Sequence, residues 1–291
     1  MTAPRTLGPL LLTFFLAVFS VQGPAEGNFE PVAANLRPPP AGVPSLLRIV
    51  SFNVHYALDP LKLAADIRTS EEVGNADVFL IQEIEDYPAE GSSRTAKLAE
   101  ALGLNYVYAP ARTTETGGTH GLAILSRYPL RDIEVILLPQ FNLRFRTRQR
   151  IALTALVDVA PAPLRVYNLH LDTRLNPGDR REQLRPIAER AAQDSVPRVI
   201  VGGDFNTSPF RWLRHVVPIF RSSQAKAVDE FMQEHGLETS LQKAGSTSRR
   251  GFFRFRLDSI YTRGLQVRAS GVARKVKSSD HDPVWIEVAW P

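Results

Sequence analysis

Short runs of apolar, β-branched residues recur along this chain, and each ends in a side chain able to bind a metal or a phosphate. Residues 48–53 read R-I-V-S-F-N and stop at Asn53; residues 77–83 read D-V-F-L-I-Q-E and stop at Glu83. Residues 164–170 end at His170, and 198–206 end at Asp204 and Asn206. Two later runs carry Asp258 (256–261) and Asp280 with His281 (279–288). Their length and β-branched content predict strands, not buried helices. Helical spacing occupies 59–73, 92–102 and 179–192, the second stopped by Gly103. From 121 to 167 strands follow one another with no helix between, which excludes a regular parallel β/α repeat. The mixture predicts an α/β (α+β) chain of packed sheets with helices outside them.

Arg5 is the only charge before Glu26, and the apolar run 7–21 lies between them. That run is shorter than the ~20 residues a bilayer crossing needs. With the small-x-small site Ala25-Glu26-Gly27, it predicts a secretory signal peptide over 1–27, an uncleaved anchor being the alternative. The expected location is therefore secreted or periplasmic. Pro31, Pro38, Pro39, Pro40 and Pro44 predict an extended linker over 28–45, poor in the donors a sheet interior needs. A single folded domain is expected over 46–291.

The chain has no cysteine, so disulfide frameworks, thiolate zinc sites and a cysteine nucleophile are excluded. Asn53, Glu83, Asp204, Asn206, Asp258 and Asp280 form an oxygen-rich set suited to Mg²⁺, Mn²⁺ or Ca²⁺ over Zn²⁺. No H-E-x-x-H helix, G-x-S-x-G elbow or phosphate-binding G-x-x-x-x-G-K-[ST] loop is present. Metal-assisted hydrolysis of a phosphoester remains: a cation neutralises one phosphoryl oxygen, amide and imidazole donors hold others, and a carboxylate or Asp-oriented His takes a proton from water. Singly, each residue has a plain structural explanation. Asn53 and 204–206 could form turns, Glu83 could open an acidic turn, and His170 could be a bonded core histidine. Together they sit at strand ends, where α/β domains collect ligands.

The segments R-I-V-S-F-N (48–53), L-I-Q-E (80–83), G-L-A-I-L-S-R-Y-P-L (121–130), N-L-H-L (168–171), G-G-D-F-N (202–206), L-D-S-I-Y (257–261) and S-D-H-D-P-V (279–284) occur in this order. The series resembles the endonuclease/exonuclease/phosphatase superfamily, which includes deoxyribonuclease-I-like enzymes, abasic-site endonucleases, neutral sphingomyelinases and inositol polyphosphate 5-phosphatases. The resemblance spans about 47–290. It implies a four-layer, two-sheet β-sandwich flanked by helices, with the site at one edge and 46–291 as the catalytic domain. It further implies metal ligation by Glu83 with Asn53 and Asp280, and water orientation by Asp204 and Asn206. Asp258 would orient His281 as base or phosphate ligand, and His170 would bind phosphate or protonate the leaving oxygen.

The net charge of +5 is unevenly spread. Arg144, Arg146, Arg148 and Arg150 form one acid-free cluster, and Arg249, Arg250, Arg254 and Arg256 another, leaving the remaining chain net acidic. A strand over 253–258 would put Arg254 and Arg256 on the face of Asp258, where guanidinium groups could grip a phosphate. His55, two residues after Asn53, and His120, in a Gly-rich loop, are further substrate-binding candidates. The expected partner is a phosphoester, either nucleic acid or a lipid head group. The export signal and linker allow peripheral membrane contact, although no long apolar hairpin for insertion is read from the sequence. No protein partner is indicated. A small-molecule phosphatase and a phosphate-binding module without catalysis are the rival readings.

Overall fold

Period-2 alternation sorts the strand residues into two inner faces and two outer ones. The computed structural model describes residues 30–221, 223–249 and 254–290, so the expected signal peptide, Arg250 and Phe253 lie outside the described residues. The first sheet contains β1 (Val32–Ala34), β2 (Leu46–Tyr56), β3 (Val78–Asp86), β4 (Asn105–Thr113), β5 (Thr119–Ser126), β13 (Gln266–Val272) and β14 (Val284–Ala289). Their order is β1-β4-β5-β3-β2-β14-β13. The second contains β6 (Leu130–Leu137), β7 (Ile151–Val157), β8 (Leu164–His170), β9 (Val199–Asp204) and β12 (Asp258–Arg263), ordered β12-β9-β8-β7-β6. β2–β3 and β8–β9 are parallel pairs, and the other neighbours are antiparallel.

Leu47, Ile49, Val78 and Leu80 of the first sheet pack against Leu153, Val166, Ile200 and Ile260 of the second. The intervening residues point outward. Val50, Phe52, Phe79 and Ile81 bury against α1 (Pro60–Arg68) and α2 (Arg94–Leu102). Tyr167, Leu169, Val199 and Val201 bury against α3 (Pro177–Gln193) and α4 (Ala225–Glu234). The result is the expected four-layer sandwich. Asp59 caps α1 by accepting from Lys62 N, Ser93 caps α2, and Gly103 ends α2 at φ 71°.

Two expectations need correction. Part of the 28–45 linker belongs to the fold: β1 pairs with β4, and Asn35 exchanges two 2.8 Å hydrogen bonds with the backbone of Leu130. An edge strand tolerates the neighbouring prolines because one side needs no donors. Residues 254–257 are irregular, and β12 begins only at Asp258, because the Phe255 carbonyl accepts from Thr247 N and Ser248 N. The structure also holds a short hairpin, β10 (Phe210–Leu213) and β11 (Val217–Phe220), of four residues a strand. Arginines interrupt its sequence, which hides it from a search for a continuous apolar run.

Along the inner faces the apolar residues give way to a polar layer. Asn168 of β8 donates to the Ile81 and Ala123 carbonyls at 2.8 and 2.9 Å and accepts from Gln82 Nε2 of β3 at 2.7 Å. Gln82 also donates to Ser51 Oγ of β2. These bonds join the sheets in a fully buried position. Asn168→Leu is expected to lower unfolding stability by about 2–4 kcal/mol, from lost hydrogen bonds and stranded buried partners. Urea denaturation measures this, and a loss under about 1 kcal/mol would contradict the pinning role.

Candidate active site

Two residues beyond the polar layer, the same inner faces present Asn53, His170, Asp204 and Asp258. Register brings them together: His170 lies opposite Asp204, and Asp204 opposite Asp258. β12 and β14 run antiparallel to their neighbours, so the start of β12 and the segment before β14 reach the edge where β2, β3, β8 and β9 end. Asp258, Asp280 and His281 therefore join residues from the other strand ends. Gly203 makes this approach feasible, since a Cβ there would lie 2.0 Å from the Leu169 carbonyl oxygen.

Glu83 reaches the site by a different device. The β3 register shifts between Gln82 and Ile84, and Glu83 adopts φ 58°. This bulge turns a side chain that strict alternation would aim outward. Asn206 has φ 50° and His55 φ 45°. Such backbone costs on the order of 1–3 kcal/mol per residue and clusters where function holds it.

The polar contacts are specific. Asn53 Nδ2 donates to Asp204 Oδ2 at 3.0 Å, and Asn206 N donates to Asp204 Oδ1 at 2.9 Å. His281 Nδ1 lies 2.8 Å from Asp258 Oδ2, which also accepts from Thr247 Oγ1 at 2.6 Å. His281 Nε2 then faces Asp204 Oδ2 at 3.9 Å. His170 Nε2 is 3.6 Å from Asp204 Oδ2 and 3.8 Å from Glu83 Oε1, and it is buried without a hydrogen-bond partner. His55 Nδ1 stands 3.8 Å from Glu83 Oε2 and 3.5 Å from Asp280 Oδ1.

Burial pushes His170 well below the usual histidine range, assisted by the cationic Arg150, so its imidazole is neutral. Burial and the Asp258 carboxylate raise Asp204 to about 7, against the pull of His281. Burial alone would lower His281, but Asp258 and Asp204 outweigh it and raise the group to about 10. The site thus pairs a neutral imidazole with a cationic one beside buried acids.

Residues with no motif signal support this arrangement. Arg180 is fully buried and donates to the carbonyls of Phe205 (2.7 Å), Asp172 (3.0 Å) and Leu175 (3.1 Å) and to Gln224 Oε1 (2.8 Å). It ties the 204–206 turn to the 172–175 segment that follows β8. Arg249 grips the carbonyls of Val276, Ser279 and His281 and pairs with Asp282 at 3.3 Å, which shapes the S-D-H-D loop. Thr247 lies 11 positions before the Asp258 it bonds, with nothing local to mark it. Asp172, two residues after His170, could have been found from N-L-H-L-D; it accepts from Arg150 Nε at 2.8 Å.

The structure brings Asn53, His55, Glu83, His170, Asp204, Asn206, Asp258, Asp280 and His281 together. It does not bring Arg256, which pairs with Asp229 at 2.5 Å beside the Tyr261 hydroxyl, because the expected strand face does not form. Arg254 is exposed on the irregular segment before β12. His120 is buried, with Nδ1 3.2 Å from Glu85 Oε1 and its ring 6.0 Å from Tyr56, and it lines a small cavity with Arg150 and His170.

A divalent cation fits this chemistry. Asp204, Asp258 and His281 offer ligand atoms within 4.8 Å of one another, a group that can hold a metal. His281 Nδ1 and Asp258 Oδ2 are, however, committed to each other. Glu83 and Asp280 present carboxylate oxygens on less buried side chains, 21% and 26% exposed, both within 4 Å of His55 Nδ1.

The fold recurs in solved structures at low sequence identity. The human Nocturnin catalytic domain with a bound sulfate anion is 18% identical, with TM-score 0.61, over 93% of this chain and 100% of that one. D. rerio TDP2 complexed with single strand DNA product is 17% identical, with TM-score 0.61, over 85% of this chain and 100% of that one. A mannosyl-6-phosphatase of Bacteroides thetaiotaomicron is also 17% identical at TM-score 0.61, over 84% of this chain and 100% of that one. No curated protein sequence matches the chain. The sequence profile of the Endonuclease/Exonuclease/phosphatase family matches residues 50–281, from the second residue before Phe52 of β2 to His281, and the chain belongs to that family.

Proposed function

We propose that this chain is a Mg²⁺-dependent phosphodiesterase that cleaves its substrate by attack of water, and that it is exported by residues 1–27. Membership in a family of phosphoester hydrolases supports the reaction class. The observation that carries the reading is His170 Nε2, buried without a partner and within 4 Å of both Glu83 and Asp204. A buried orphan nitrogen in a ring of acids calls for an oxygen-bearing ligand. A phosphoryl group supplies one.

In this reading Glu83, Asn53 and Asp280 would hold the cation, which would supply positive charge against the negative charge developing on the phosphoryl oxygens. Asp204, fixed by Asn53 and the Asn206 amide, orients water and takes its proton. His281, held by Asp258, keeps a positive charge toward the phosphate. His170, a neutral imidazole, donates a hydrogen bond from its Nε2 to a phosphate oxygen and keeps its proton. His55, on the open side near Glu83 and Asp280, contacts the substrate.

Turnover of plasmid DNA, sphingomyelin, phosphatidylinositol phosphates and a chromogenic diester should require Mg²⁺, vanish with EDTA and return when Mg²⁺ is restored. Glu83→Ala should lower kcat by about 10³-fold or more, the scale of a lost electrostatic stabiliser. No turnover on any substrate would leave the phosphate-binding module as the better reading, and metal-independent turnover would remove the cation from the mechanism. Asp258→Asn should reduce kcat by roughly 10²–10⁴-fold by removing the carboxylate that orients and charges His281. Its KM should change little, and an unchanged kcat would remove His281 from the mechanism.

A further inference from the structure

The β10–β11 hairpin leaves its apolar side chains in solvent. Leu213 (56%), Val217 (52%) and Phe220 (64%) are exposed, as are Val216 and Ile219. Phe145, 72% exposed, joins them across the surface: the Arg174 guanidinium lies 4.7 Å from its ring and 5.1 Å from that of Trp212. Leu213, Val217 and Ile219 share one face of the hairpin, and Phe220, packed on Phe210, lies on the other. Single exposed apolar residues are ordinary, but this many on both faces of one short hairpin mark an interaction surface.

The charge around it has one sign. No Asp or Glu occurs from 205 to 224 or from 138 to 157. Arg211, Arg214 and Arg221 of the hairpin, and Arg144 and Arg146 beside Phe145, form none of the ion pairs found among the described residues. An apolar tip within an arginine collar suits a surface that is oily inside and anionic at its face.

We propose that this hairpin and Phe145 form a docking surface for a membrane containing anionic phospholipid. A second copy of the chain would oppose arginine to arginine. The apolar run 7–21 of the same chain has no acid to meet the arginines. Nucleic acid would satisfy the charge and could stack on Phe145 or Phe220, but it would leave Leu213, Val216, Val217 and Ile219, which offer no ring for a base, in water.

The surface lies on the catalytic edge. Phe210 follows Asn206 by four positions, and Asn176, in the segment after His170, exchanges two hydrogen bonds with the Trp212 backbone. Docking would therefore set the opening of the site at the lipid surface. The docking stands on the hairpin alone; its use in presenting a head-group phosphate rests on the phosphodiesterase reading.

The test is co-sedimentation of the full chain with phosphatidylcholine vesicles, with and without phosphatidylserine at about one lipid in three. Variant and parent carry the same residues 1–27, so that segment contributes equally. The parent should bind phosphatidylserine vesicles at least about tenfold more tightly than neutral ones, and added salt should weaken binding. The triple variant Leu213→Ser, Val217→Ser, Phe220→Ser should lose at least about tenfold in affinity for them. It should retain its turnover of a soluble chromogenic diester, which reports an intact fold. Glu83→Ala should bind vesicles like the parent, separating docking from catalysis. Equal binding to neutral vesicles, undiminished binding by the triple variant, or DNA retention without vesicle binding would overturn the proposal.

Discussion

The Gln82–Asn168 contact decides where this sandwich stops being oily and becomes chemical. On its inner side lie Ile49, Leu80, Val166, Ile200 and Ile260, all buried and apolar. On its outer side, one alternation further, lie Asn53, His170, Asp204 and Asp258. Buried acids are costly to desolvate unless donors meet them. The amide layer gives the core a polar floor, so the acids above it need not rest directly on hydrocarbon. It also locks two sheets whose relative displacement would separate Glu83, on the first, from His170 and Asp204, on the second.

Glycine and strain complete what the amide layer begins. Gly203 lets β9 close on β8, while the Glu83 bulge moves one carboxylate from the outer to the inner side. Arg180 acts from behind. With its donors on carbonyls and an amide and no carboxylate in contact, its charge remains available to the nearby Asp204 and Asp172. Burial lowers Arg180 only to about 10, so it stays cationic at neutral pH. The acids are thus held by donors in front and by a fixed charge beneath.

Much of this was legible because a strand has only two faces. Residues 166, 168 and 170, like 200, 202 and 204, share one face by arithmetic, and the change from apolar to polar along each run marks the edge. The same arithmetic failed for 253–258, where long-range bonds from Thr247 N and Ser248 N to the Phe255 carbonyl replace strand pairing. It also failed for residues 32–34, whose partner strand lies more than 70 positions away and leaves no local trace. Thr247 and Arg180 were invisible for a related reason: their roles lie in contacts with distant backbone and side chains. The hairpin escaped notice because Arg211 and Arg214 break its apolar residues into short pieces. In space those arginines surround the apolar group they interrupt in sequence.

The arginines show why net charge alone is a poor guide to partners. Two clusters looked alike in sequence, yet their members divide by burial and pairing. Arg150 is neutralised by Asp172, Arg256 by Asp229, and Arg249 by Asp282 and the carbonyls of the S-D-H-D loop. Arg150 and Arg249 brace the site, Arg256 stands apart from it on Asp229, and all three contribute little field outside. Arg144, Arg146 and Arg254 face solvent, as do the hairpin arginines that belonged to neither cluster. The external positive field is therefore displaced from the acid-lined centre toward the rim and the apolar hairpin. A polyanion attracted by that field alone would meet scattered charges, whereas a surface that also accepts Leu213, Val217 and Phe220 gains from both. The physical preference among anionic partners comes from the exposed carbon beside the charge.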